Sequence, residues 1–384
     1  MINLGFLLHA YQPWTQLEHI RRRIFYESYW PIISFANSYP GFTFSFDITL
    51  SIGEHLPNWF LKYMSDTYSR GKIELLNTSA YHYLLPLHDM ATIRRQFRLN
   101  EDFYRENFIN NDHLPGVFLP ELAFSPDIAQ NAPLYGFSWC MAEDWSYTYN
   151  RLNLPEERRS PLNWIPKCGP AGILVRSSYW SKRIAFGKYS TAEEFLEELI
   201  KGQLNWRAET GVNGDSYIIL ALDMETFGHH QRDGITNFLI PFFKKLLECE
   251  KIITVTPINK IFEKFPKVDH TQFFSSASWS TEKEHLDRGI AYPLWRHPTN
   301  LFHILWGEFA KRAYSKINQV QNKDAELEKL MDKAFYSCPL WQYSYENKKI
   351  AYWCIPAFRR IAELLGNDKT LSQLIQRMEI LLKK

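Results

Sequence analysis

The chain has little of what marks many protein classes at a glance. Its five cysteines, Cys140, Cys168, Cys249, Cys338 and Cys354, are scattered through 384 residues and none forms a CxxC pair. An odd count without paired spacing excludes a zinc ribbon and a secreted disulfide framework, and points to a reducing, cytoplasmic setting. No stretch reaches the roughly 18 consecutive apolar residues of a membrane span. The apolar start, Met1 to Leu8, has neither a basic flank nor a small-residue cleavage site, so it reads as a buried strand rather than a leader. Neither sign of charge dominates. The 44 basic and 42 acidic residues leave a net charge of +2, and the densest basic run is only Arg21-Arg22-Arg23. A nucleic-acid binder concentrates basic charge, so neither nucleic acid nor membrane is an expected partner. Internal repeats and low-complexity segments are absent. Hydrophobic residues at 45% and charged residues at 22% exclude disorder and a coiled coil.

What is abundant is aromatic surface: 27 Phe, 21 Tyr and 13 Trp. So many indoles exceed the ordinary needs of packing. Indole carries an N–H that seeks a partner and a flat face that stacks on other flat surfaces. Trp14 and Trp279 sit beside polar motif residues. Trp139, Trp145 and Trp164 lie in or beside a long middle segment and are candidates for a cleft wall. Trp295, Trp306, Trp341 and Trp353 fall in or just before a helical stretch, where packing is the simpler expectation.

Short apolar runs recur at 3–8, 42–48, 73–77, 116–119, 137–141, 173–176 and 217–223, with a shorter one at 252–255. Helical periodicity fills most intervals, as at 17–38, 53–69, 91–107 and 192–200. Continuous apolar strands alternating with helices indicate a parallel sheet buried on both faces. Seven or eight such units suggest an α/β fold, a closed TIM-like barrel with a C-terminal helical region. Residues 1–275 form the expected barrel and 276–384 the helical region packed on it, with helices at 301–320, 325–335, 350–365 and 371–382. The segment between residues 142 and 173 is Pro-rich and polar, and reads as one long loop.

In such a barrel the active site gathers at the C-terminal ends of the strands. Polar residues stand there. The first strand runs into His9, Gln12 and Trp14, the third towards His82, the fourth into Glu121, and the run 217–223 into Asp223, Glu225 and His229. Strand alternation puts Asp223 and Glu225 on the face of Ile219 and Ala221, towards the barrel interior. Burying two carboxyl groups there is costly unless they are paired or used. Taken alone, Glu121 also fits a solvated loop acid. Paired with Asp223, it fits a retaining glycosidase, whose two carboxyl groups stand about 5–5.5 Å apart. The histidines fit either sugar hydroxyls or a metal, although no zinc motif such as HExxH is present.

These stretches, in this order, resemble glycoside hydrolase family 57, a family of α-glucan-active enzymes. His9-Ala10-Tyr11-Gln12-Pro13-Trp14 is similar to its first motif. Gly71 to Leu76, continuing to His82 and Leu85-Pro86-Leu87, is similar to its second. Gly116 to Phe124 resembles the third, Asp223 to His229 the fourth, and Ser278-Trp279-Ser280 a fifth. A further stretch around Arg176 resembles a family segment with a site-facing Arg. Tyr11 stands where the family usually has His, Phe118 where Trp is frequent and Lys182 where an acid is common.

The resemblance implies a seven-stranded (β/α)7 TIM-like barrel and a retaining α-glucan-active hydrolase, α-amylase-like on α-1,4-linked glucans, without cofactor or catalytic metal. It implies Glu121 as nucleophile and Asp223 as acid/base. Its substrate-binding residues would be His9, Gln12, Trp14, His82, Arg176, Glu225, His229 and Trp279. The expected partner is an α-glucan or maltooligosaccharide. Asp223 must be protonated to act first as an acid, so burial and the charges of Glu121 and Glu225 should raise its pKa, while Glu121 must ionise. A 4-α-glucanotransferase or branching enzyme, a non-catalytic carbohydrate-binding homologue and a metal-dependent deacetylase on a similar barrel are the competing readings.

Overall fold

An apolar run with no polar alternation must be covered on both faces. Ile2–Ala10 is such a run, and it forms strand β1, buried at every position. The computed structural model describes residues 1–109, 113–148, 154–320 and 324–383. After β1 come β2 (Phe44–Ile48), β3 (Ile73–Leu75), β4 (Gly116–Val117), β5 (Trp139–Glu143), β6 (Ile165–Cys168), β7 (Ala171–Arg176), β8 (Ser216–Asp223), β9 (Ile253–Val255) and β10 (Lys267–Asp269). Every apolar run expected as a strand carries one.

Strand β1 is parallel to β8 from Ile2↔Ser216 to His9↔Asp223, and to β2 from Leu7↔Ser45 to Ala10↔Ile48. Parallel pairs β2–β3, β4–β5, β5–β7 and β7–β8 continue the wall. The fold is thus an α/β barrel built on seven parallel strands, β1 to β5 with β7 and β8. No continuous ladder of hydrogen bonds closes it. Between β3 and β4 a single residue spans the gap: the Asn77 N–H donates to Gly116 O at 3.2 Å and the Asn77 carbonyl accepts from the Phe118 N–H at 2.9 Å. Side chains fill the interior, among them Leu7, Leu76, Phe118, Trp139, Leu174, Tyr217, Ile219 and Ala221. It is a packed core rather than a pore.

The segment 142–173 differs from the single loop expected. Strand β5 runs on to Glu143, and β6 pairs antiparallel with β7 across a turn at Gly169, which has φ +61°. Strand β10 then adds to β6. Pro166 and Lys167 interrupt the apolar pattern of β6, which hides a short strand of this kind. Residues 149–153 of the segment lie outside the described residues.

Two helices contain π-helical turns, Phe25–Tyr29 and Ile235–Leu239, and each is followed by a Pro in the next turn, Pro31 and Pro241. Proline has no N–H to give, so the regular ladder cannot continue through it. The expected helix at 350–365 is also broken. A turn at Tyr352–Cys354 precedes the helix Ile355–Leu364, which has Pro356 in its first turn. The helices Leu301–Ile317, Ala325–Lys333, Ile355–Leu364 and Lys369–Lys383 pack on the barrel. One buried cluster contains Ala80, Leu119 and Val175 together with Trp306, Phe335 and Phe358. The helical region and the barrel therefore share a core. No described helix is long and apolar enough to cross a membrane.

Gly116 opens β4 because the Trp139 ring lies against it. A Cβ there would stand 1.9 Å from that ring. The indole N–H is held by Asn259 Oδ1 at 2.9 Å, so the ring has nowhere to go. Gly116→Ala should cost at least about 1–3 kcal/mol by overpacking. Urea unfolding checks this, and an unchanged midpoint would contradict the placement.

Candidate active site

The strand ends deliver their polar residues to one place. A cavity of about 440 Å³ lies over the barrel, and Gln12, His82, Glu121, Asp223, Glu225, His229 and Trp279 line it. Asp223 closes β8, whereas Glu225 sits in a tight turn, Met224–Thr226. Strand alternation therefore places Asp223 but not Glu225, which reaches the cavity through the turn.

Glu121 follows Pro120 and has φ +59°. Leu122 after it has φ +46°, and His82 has φ +56°. Non-glycine residues in the left-handed region cost on the order of 1–3 kcal/mol each and persist only where their surroundings hold them. The surroundings here do so. The Leu122 N–H donates to Leu119 O at 2.8 Å and the Trp279 N–H donates to the Glu121 carbonyl at 3.1 Å. This turn presents the Glu121 carboxyl group to the cavity. It is 5% exposed.

Most of the ionisable groups at the site have a side-chain partner. The Ser337 hydroxyl donates to Glu121 Oε1 at 2.8 Å and also lies 2.8 Å from His82 Nδ1. His82 Nε2 lies 2.9 Å from His9 Nε2, and His9 Nδ1 lies 2.5 Å from Asp47 Oδ2. The Tyr11 ring stacks on His82 at 3.7 Å and its hydroxyl meets Cys338 Sγ at 3.2 Å. Glu225 Oε1 accepts from Gln12 Nε2 at 2.9 Å and from the Tyr29 hydroxyl. His229 Nδ1 lies 2.7 Å from Glu27 Oε2. Glu27 and Tyr29 both come from the π-helical turn, and Ser28 between them donates to Met224 O at 2.8 Å. The bulge thus braces the loop that carries Asp223 and Glu225.

Burial dominates the electrostatics. It raises Glu121 to about 8. Hydrogen bonding from Ser337 pulls it back, and the neighbouring Asp223 pushes it further up. Asp223 is also raised by burial, against the cations His9, His230 and Arg176. Glu225 is raised to about 7 by burial and by Asp223. The expected rise of Asp223 is present with burial as its cause, and the repulsion among the acids falls on Glu121 and Glu225. His9 is the counterweight. Asp47, Asp223 and Glu225 lift it to about 9 against its own burial. Burial and the His9 charge hold His82 well below the usual histidine range.

Three of the expected binding residues do not line the cavity. His9 is buried behind His82. Trp14 packs edge-on against Tyr336, with ring centroids 6.4 Å apart. Arg176 is buried beneath, its Nη1 on Glu143 Oε2 at 2.8 Å and its Nε donating to Ala221 O at 2.8 Å. The tryptophans sort differently from expectation. Trp139 fills the barrel core, and Trp145 lies under the Arg159 guanidinium at 3.8 Å. Neither they nor Trp164 wall the cavity. Trp295, Trp341 and Trp353 do. Sequence reasoning missed these three and also missed Asp47, Tyr29 and Ser337. Only Asp47 left a signal, since parallel pairing of the first two strands sets it beside His9. Among the described residues no group of three or more His, Cys, Asp or Glu is arranged to hold a metal ion.

A model of the family described as glycosyl hydrolase family 57 matches residues 6–273. No curated protein matches the chain in sequence. Solved structures do match it. A branching enzyme from Thermococcus kodakaraensis aligns at TM-score 0.71 and 14% identity, over 98% of this chain and 94% of that one. A 4-α-glucanotransferase from Thermococcus litoralis aligns at 0.66 and 16%, over 94% of this chain and 58% of that one. An α-amylase from Thermotoga maritima aligns at 0.63 and 13%, over 99% and 96%. At such identities the likeness is one of fold. The chain spans only 58% of the length of the glucanotransferase.

The acid pKa values imply a pH dependence of stability. Glu121 is raised from 4.5 to about 8 on folding. The folded state therefore binds the extra proton, and the stability it brings is full below about pH 4.5 and lost as pH rises through about 8. Glu225 and Asp223 act in the same direction. Glu121→Gln should melt on the order of 5 °C higher than wild type at pH 8.5 and gain less at pH 5. A gain equal at both pH values would contradict the burial account.

Proposed function

The chain belongs to glycosyl hydrolase family 57, and on that basis we propose that it is a retaining enzyme of α-glucans, with Glu121 as nucleophile and Asp223 as acid/base. The observation that carries this reading is the meeting of the two carboxyl groups in one cavity. Glu121 arrives after β4 and Asp223 at the end of β8, close enough for Asp223 to raise the Glu121 pKa. The family match and the fold shared with a branching enzyme, a glucanotransferase and an α-amylase support the α-glucan substrate.

The chemistry divides between the two acids. Half-buried Asp223 holds its proton and donates it to the glycosidic oxygen as that bond breaks. The Glu121 carboxylate forms a bond to the anomeric carbon, and the shortened glucan leaves with the proton. Glu121 is then neutral as an ester, and the Asp223 carboxylate next takes a proton from water or from a sugar hydroxyl. That oxygen attacks the anomeric carbon and Glu121 departs as a carboxylate. Gln12, His82, Glu225 and His229 line the cavity and would bind sugar hydroxyls, while Trp279 offers a stacking face.

Transfer to a second sugar is the alternative to hydrolysis, and one feature favours it. Trp279, Trp295, Trp341 and Trp353 wall the cavity. Indole faces suit a pyranose acceptor better than a lone water.

Maltooligosaccharides, amylose and glycogen are the direct test. Wild type should give shorter or rearranged glucans, Glu121→Gln none, and Asp223→Asn should lose about 10²–10⁴-fold in kcat. No product with any of the three would overturn the reading. A product ratio that shifts towards longer glucans with added maltose would assign transfer.

A further inference from the structure

Four residues, the expected His9 and His82 together with Asp47 and Ser337, run in line to Glu121, and their hydrogen bonds fix one another's direction. An ionised Glu121 accepts, so the Ser337 hydroxyl spends its only hydrogen on Oε1, 2.8 Å away. Ser337 must then accept at its oxygen from His82 Nδ1, at 2.8 Å. His82 is fully buried and stays neutral, so with Nδ1 protonated its Nε2 is bare. That nitrogen must accept from His9 Nε2, at 2.9 Å. His9 Nδ1 faces the Asp47 carboxylate at 2.5 Å. Asp47 is wholly buried, and its second oxygen has no partner among the described residues. Such a carboxylate needs the charge of His9. Burial raises the Asp47 carboxyl and the His9 charge and hydrogen bond pull it back, so with Asp47 ionised an anion at Glu121 goes with a doubly protonated His9 two side chains away.

We infer that Asp47, His9, His82 and Ser337 form a one-way hydrogen-bond wire that favours the ionised form of Glu121, with Ser337, from the C-terminal helical region, as its terminal positioning residue. The inference rests on the retaining reading of the site. None of the four needs to touch substrate for the wire to act. The surrounding groups fit. Asp223 and Glu225 face His9 and support its charge. Asp223, Tyr11 and Cys338 are the other ionisable groups that act on or from Glu121. Burial holds the Tyr11 phenol well above its ordinary value and the Cys338 thiol at about 12, so both stay neutral while Glu121 titrates. Ser337 lies beyond the residues matched by the family model, which end at 273. Its own N–H donates to the His82 carbonyl at 3.0 Å, which fixes the hydroxyl between the two side chains.

Two measurements test the wire. The first is the protonation of the ring nitrogens in ¹⁵N-histidine-labelled protein, at a pH above about 8 and below about 9, between Glu121 and His9. His9 should carry a proton on both nitrogens, and His82 on Nδ1 only. A His82 protonated at Nε2 would overturn the inference. The second is the pH profile of kcat/KM for Ser337→Ala and Ser337→Thr. Loss of the hydroxyl should move the acid limb up by about one pH unit, roughly tenfold in rate below it, and threonine should restore the limb. A Ser337→Ala profile that superimposes on wild type also overturns it. An inert wild type with the expected nitrogen protonation would instead refute the glucan reading and leave the wire standing.

Discussion

Three carboxyl groups, Glu121, Asp223 and Glu225, share one small cavity, and the organisation of the site follows from the cost of placing them there. Burial alone would keep all three protonated, which suits an acid and disables a nucleophile. The surroundings divide them. Ser337 and the histidine pair act on Glu121, Gln12 and Tyr29 hold Glu225, and Asp223 accepts none of these side-chain bonds and keeps its burial. In the proposed mechanism the two roles thus arise from environment rather than from residue type. His9, deep in the strand wall, is lifted to about 9 against its burial chiefly by Asp47, with Asp223 and Glu225 adding to it.

The helical region is part of this arrangement. It contributes Ser337 to the Glu121 carboxyl group and four tryptophans to the cavity wall, and its core is continuous with the barrel side chains beneath. A barrel truncated near residue 275 would retain Glu121 and Asp223 and lose much of what surrounds and encloses them. The discontinuous wall between β3 and β4 makes the same point. Among the described residues Asn77 alone bridges the backbones of the two strands there, and the loop after it carries His82 into the site.

The strands were legible in the sequence because runs such as Ile2–Ala10 and Ser216–Asp223 are apolar on both faces. That Glu121 and Asp223 meet in one cavity was legible because each acid stands at the end of such a run. What escaped was set by contacts distant in sequence. Ser337 lies 216 residues from Glu121 and carries no local mark of its role. Trp14 sits in a motif, yet turns its ring to Tyr336. Trp341 and Trp353 lie in helical segments that suggested packing, while their positions set them at the mouth of the barrel. Glu225 was expected by strand alternation and arrives by a turn, so a correct placement had a wrong reason. The hairpin of β6 and β7 was hidden because Pro166 and Lys167 break the apolar pattern within four residues.

The account stands on Glu121 as the atom source of a covalent glycosyl-enzyme. Treating the protein with a 2-fluoro glucosyl fluoride, digesting it and sequencing the labelled peptide by mass spectrometry tests this most directly. The account predicts one adduct, on Glu121, formed by wild type and absent from Glu121→Gln. An adduct on Asp223 or Glu225, or glucan turnover that survives Glu121→Gln, would contradict it.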